Sequence, residues 1–149
     1  MMHRVLAPLI CLCMSAGTCA FAQDTLEGAK AMAIKAAAYL KQNGREGAKA
    51  LNKPGNPFEK GALYVLVFDQ DGTCLANPKA PGMAGQNLVN LKDPEGKLIT
   101  KDQGTIAKKG GGWASYSWVN PATSKVQRKK AWIQPVEGTT LYTNCGLFQ

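Results

Sequence analysis

Histidine is almost missing from this chain, and its single copy, His3, sits in the opening apolar stretch. Cysteine is scarce in the same way: of five, Cys11, Cys13 and Cys19 belong to that stretch, and only Cys74 and Cys145 lie beyond it. Past residue 22 the chain has no imidazole base and two thiols, which excludes Ser/His/Asp and Cys/His catalysis, haem attachment through C-x-x-C-H and an ordinary zinc site. Long hydrophobic runs are lacking too. Val5 to Met14 is broken by Pro8 and falls well short of the roughly 20 apolar residues that a spanning helix needs. Lysine or arginine runs interleaved with aromatics are also absent, so nucleic-acid binding has no support.

What is present begins with the stretch MMHRVLAPLICLCMSAGTCAFAQD. Arg4 precedes the apolar run, and small residues follow it up to Ala20-Phe21-Ala22, an A-x-A cleavage pattern. Residues 1–22 are expected to be a signal peptide cut before Gln23. A lipoprotein signal ending at Cys19 is the minor alternative, weakened by Ala16 and Thr18. The mature chain, 23–149, is one domain's worth and is expected to be soluble and exported, periplasmic or secreted. Its removal takes only Arg4 among the charged residues from a formal net charge of +8. The remaining lysines are spread over helix faces, turns and loops. They read as a solvated surface, with attraction to anionic lipid or acidic ligands as the alternative.

Asp24 or Thr25 can cap a helix in which Leu26, Ala29, Met32 or Ala33, Ala36 and Leu40 recur at helical spacing, with Asn43-Gly44 as a left-handed stop. A short helical piece from Arg45 to Leu51 ends at the breaker cluster Lys53-Pro54-Gly55-Asn56-Pro57. Leu63 to Phe68 is a dense strand, Asp69 to Gly72 a turn, and Thr73 to Ala76 a second short strand. Residues 77–96 read as a long loop, and Ile99 to Lys109 as a weak helix interrupted by Gly104. Two strand-like runs are joined through Asn120-Pro121-Ala122-Thr123, and Thr140 to Phe148 is a last strand. The pattern is α+β, with an antiparallel sheet.

The run YVLVFDQDGTCL raises a question of catalysis, because an apolar strand ending in D-x-D-G-T is how haloacid dehalogenase phosphohydrolases present a nucleophile. Such an enzyme also needs a downstream acidic pair to hold magnesium. The acids after Asp71 are only Asp93, Glu95, Asp102 and Glu137, and none forms such a pair at a strand end. Asp69 is therefore expected to shape the turn, since Asp side chains accept from nearby amides and Gly72 takes positive φ. A magnesium-dependent phosphohydrolase built on Asp69 is kept as a remote alternative. Calcium at Asp69 and Asp71 lacks further oxygen ligands.

In order and spacing, YVLVFDQDGTCLANP, GQNLVNLKDPEGK, GGGWASYSWVNPATSKV and LYTNCGLF resemble the type 2 single Cache domains, a family of extracytoplasmic sensing modules. The resemblance implies a long N-terminal helix packed on a PAS-like five-stranded antiparallel sheet, strand order 2-1-5-4-3, with a small-molecule pocket on one face. It further implies a non-enzymatic domain, without a cofactor, that senses a small organic acid. Because no transmembrane helix or kinase follows Gln149, a membrane receptor or kinase would have to be a separate partner.

Four residues are the ligand-binding candidates. Tyr116 and Trp118 lie two apart on one strand and share a face. Lys129 matches a lysine that the family favours on the fourth strand, and Trp132 stands where the family usually has tyrosine. Lys129 and Trp132 are three apart and cannot share a face without a bulge. Asn77 stands where relatives often carry histidine. A cationic cell-envelope interaction protein with no small ligand is the alternative from another class. The strand order implied by the resemblance places a strand between Cys74 and Cys145, beyond the reach of a disulfide.

Overall fold

The computed structural model describes residues 24–149; the expected signal peptide and its cleavage site lie outside the described residues. Helix α1 runs from Leu26 to Leu51. Thr25 is its cap, its Oγ1 accepting from the Gly28 amide at 3.0 Å, while Asp24 accepts from the Ala62 amide at 3.0 Å and ties the helix start to the sheet. Ala29, Met32, Ala33, Ala36, Ala37 and Leu40 form the buried stripe. Four of them are alanines, so the helix lies close to the sheet, and Thr143 donates through Oγ1 to the Ala33 carbonyl at 2.8 Å. At Gly44 the backbone leaves helical space, with φ 58° and ψ −154°. The expected stop is thus found, but the two helical pieces abut as one kinked helix.

The strands are β1 (Glu59–Lys60), β2 (Leu63–Asp69), β3 (Cys74–Ala76), β4 (Gly112–Asn120), β5 (Lys125–Pro135) and β6 (Leu141–Phe148), and α2 (Ile99–Lys108) precedes β4. All pairings are antiparallel, in the order β1-β2-β6-β5-β4, with β3 also on β2. With the two-residue β1 set aside, this is the expected order 2-1-5-4-3. The extra strand went unpredicted because two residues carry no alternation to read. The loop after β3 contains a 3-10 turn at Pro81–Met83.

One sheet face carries Leu63, Val65, Val67, Leu141 and Cys145 against α1. The other carries Tyr64, Leu66, Phe68, Ile133 and Tyr142 against Ala107 and Ile106 of α2 and against Met83 and Leu88 of the loop. Every residue of β2 is buried. Cover on both faces explains its unbroken apolar run. Gly104 lets α2 approach, since a Cβ there would stand 2.9 Å from the Gln70 carbonyl oxygen. Cys74 belongs to the second cluster and Cys145 to the first, with β2 between their strands, and both thiols are free and buried. The outer edge of β4 is guarded by side chains: Asp93 accepts from the Ser117 amide at 3.2 Å, and Lys97 Nζ donates to the Ser115 carbonyl at 2.7 Å. Among the described residues no helix is long and apolar enough to cross a membrane.

Candidate functional site

The D-x-D-G turn accounts for both of its carboxylates. Asp69 accepts from the Asp71 amide at 3.3 Å and the Thr140 hydroxyl at 3.0 Å, and it pairs with Arg45, the first residue after the kink in α1. Asp71 accepts from the Thr73 amide at 2.8 Å, and that bond holds its carboxyl below the usual range. Gly72 has φ 96°, and a Cβ there would meet Val89 at 2.8 Å. The pair therefore closes the β2–β3 turn and latches α1 to it.

The cleft lies on the other face of the sheet, beneath the 77–103 segment, with a cavity volume of about 30 Å³. Leu66, Phe68, Leu88, Leu91 and Ile99 form its apolar walls. Its polar lining is neutral: Asn77, Thr100, Gln103, Tyr116 and Asn144. Tyr116 and Trp118 both line it, in keeping with their shared face. Thr100 fixes one wall, donating to the Leu88 carbonyl at 2.6 Å, while its own carbonyl accepts from Tyr142 at 3.4 Å. Asn77 also organises its own turn, its Oδ1 accepting from the Lys79 and Ala80 amides, each at 3.1 Å.

Behind the cleft, Gly146, Ala131 and Ala114 stand side by side across β6, β5 and β4. A Cβ on Gly146 would fall 2.2 Å from the Lys130 carbonyl oxygen, so β5 and β6 close together only with glycine there. Over this low ground the long side chains reach across strands. Lys129 on β5 donates from Nζ to the Tyr64 hydroxyl on β2 at 3.2 Å, with the Tyr64 and Phe148 ring centroids 4.2 and 5.3 Å from Nζ. The residue is 1% exposed. Among the described residues no carboxylate reaches it, and burial pulls its pKa down to about 8. Lys129 stands beside the cleft, paired in register with Tyr116. Tyr64 and Phe148 also border a broader depression of about 430 Å³ between the β1–β2 turn and the β4–β5 hairpin. The ammonium thus touches two residues of the depression, while Lys129 itself is not among the residues that line the cleft.

Tyr116 and Asn144 meet at the inner end of the cleft. Asn144 Nδ2 donates to Gln103 Oε1 at 3.1 Å and to the Tyr116 hydroxyl at 3.2 Å. Burial raises the Tyr116 pKa to about 12 despite these bonds. Asn144 is wholly buried, yet among the described residues its Oδ1 has no hydrogen-bond partner. Sequence reasoning passed over Asn144 and Gln103. The available signal was an asparagine in the middle of the otherwise apolar strand LYTNCGLF.

Trp132 is not brought to the cleft. It packs in the α1 cluster, its indole N–H donating to Gln134 at 2.9 Å, with Lys30 Nζ 4.1 Å from its ring centroid and Trp113 edge-on at 5.2 Å. The three-residue spacing from Lys129 separates the two residues across the sheet, and the cleft side falls to Lys129.

The chain shares its fold with a methyl-accepting chemotaxis protein from Vibrio parahaemolyticus RIMD 2210633, with TM-score 0.67, 18% identity and cover of 83% and 85% of the two chains. A Cache chemosensory domain that recognises carboxylic acids superposes with TM-score 0.63 and 19% identity, over 83% of this chain and 87% of that one. In sequence, a sensor histidine kinase, MctS, of Rhizobium johnstonii (strain DSM 114642 / LMG 32736 / 3841) is 31% identical over 70 residues. That match covers 47% of this chain and 15% of the kinase, so the chain spans only a small part of the kinase's length. Residues 24–148 match the sequence family described as Single Cache domain 2, and with the sheet order, the kinked helix and the cleft in place, the chain belongs to that family.

Proposed function

We propose that this chain is an exported sensor domain, with residues 1–22 as its leader and 23–149 as its single Cache domain, and that its cleft takes a small carboxylate. The observation that carries this reading is Lys129, an ammonium buried beside a neutral cleft with no carboxylate among the described residues to balance it. A buried charge without a partner is costly, and an anion nearby relieves that cost. Tyr116 and Trp118 supply a wall and a hydroxyl, and Leu66 and Ile99 an apolar seat for a short carbon chain. The domain itself has a binding role rather than a chemical one, and a membrane receptor or histidine kinase is its partner class.

For a carboxylate of about 4 to 6 heavy atoms, the ceiling near 1.5 kcal/mol per atom limits binding to roughly 6–9 kcal/mol, so micromolar affinity is the most to expect. Calorimetry with acetate, propanoate and larger monocarboxylates tests the reading on the exported protein. Lys129→Met should weaken the best of them at least tenfold while the unliganded melting temperature holds or rises. Equal affinity in parent and variant would remove Lys129 from the site.

A further inference from the structure

We infer that the cleft selects 2-hydroxy acids over the matching oxo, amino and unsubstituted acids, because the free Oδ1 of Asn144 at its inner end requires a hydrogen-bond donor from the ligand. The inference rests on the carboxylate reading above. Asn144 is 0% exposed and lines the cleft, and both of its amide hydrogens are directed to Gln103 and Tyr116. Its carbonyl oxygen is then fixed as an acceptor, and among the described residues it has no partner. Buried acceptors are rarely left so, and one that lines a cleft is completed by whatever fills the cleft.

Several donors could meet an acceptor, and the charge of the surroundings chooses among them. None of the described residues lining the cleft is acidic, and the Lys129 ammonium is buried on the strand paired with that of the lining Tyr116. A ligand ammonium would be repelled by Lys129 and left without a counter-charge, so amino acids are disfavoured. An oxo group brings a second acceptor against Oδ1 and an alkyl group brings no donor. A hydroxyl supplies the proton without a charge. It would also sit next to the carboxylate, a compact arrangement suited to a narrow cleft of about 30 Å³ whose cationic neighbour and free acceptor lie on adjoining strands, β5 and β6.

The test is isothermal calorimetry of the parent protein with 2-hydroxypropanoate, 2-oxopropanoate, alanine and propanoate, repeated with the four-carbon set. The hydroxy acid should bind about tenfold or more tightly than each of the others, the ratio expected of one hydrogen bond to a buried, otherwise unsatisfied group. Asn144→Ala should reduce that preference to about twofold or less. Because the comparison among ligands uses the parent alone, it stands even where the variant does not fold. An oxo, amino or unsubstituted acid that binds as tightly as its hydroxy counterpart overturns the inference and leaves the carboxylate reading in place. No binding by any of them at millimolar concentration overturns both.

Discussion

Lys129 holds an ammonium out of water with one hydroxyl and two aromatic faces for company. In the unfolded chain its pKa returns to about 10.4, against about 8 in the fold. Between those values the unfolded chain binds more protons, so this residue makes stability rise as pH climbs from about 8 to about 10, and its full penalty applies below pH 8. Denaturant melts of parent and Lys129→Met at pH 7 and 9.5 check this: the variant should gain more at pH 7. A bound anion favours the charged lysine, so carboxylate affinity should be level below pH 7 and fall by up to about tenfold per pH unit above 8. Tyr64, Tyr116 and Cys145 around it are raised by burial above this window, so the fall would belong to Lys129. Calorimetry at pH 7, 8 and 9 measures it. At the turn, Asp69→Asn keeps the shape but removes the charge facing Arg45, and should cost about 1–2 kcal/mol in urea unfolding. Magnesium-dependent phosphatase activity lost in that variant would instead make Asp69 a nucleophile.

Within α1, Gly44 occupies φ 58° and ψ −154°, a region closed to side chains, yet a Cβ there would meet no atom within 4 Å. Gly44→Ala should therefore cost about 1–2 kcal/mol through backbone strain alone, read as a lower denaturation midpoint with an unchanged m-value. The left-handed stop was legible in Asn43-Gly44, as were the strong period of α1, the apolar run of β2 and the β4–β5 hairpin. Each of these is a local property of the chain. The face to which Lys129 or Trp132 turned was not legible, because a period of two fixes only their relative sides, and packing of α1 decides which side becomes the cleft. Gly104 lowered the signal of α2 for a tertiary reason, its closeness to Gln70. Asn144 and Gln103 carry no motif, since their meaning arises from a contact between residues far apart in sequence.

Across the whole molecule, cover on both faces keeps the two thiols from solvent and from each other. Burial raises Cys74 to about 11 and Cys145 to about 12, so neither forms thiolate at neutral pH. Alkylation followed by peptide mass spectrometry should find both unmodified in the native protein and both modified in denaturant; a bridged pair would mean that the strand order is wrong. The same two-sided cover gives β6 a further property. Thr143 fastens outward to the Ala33 carbonyl of α1, 110 positions away in sequence, while its neighbour Asn144 turns the opposite way into the cleft. The strand is a rocker with a load on each arm. The wall of the cleft and the seat of the helix are therefore separated by the thickness of a single strand.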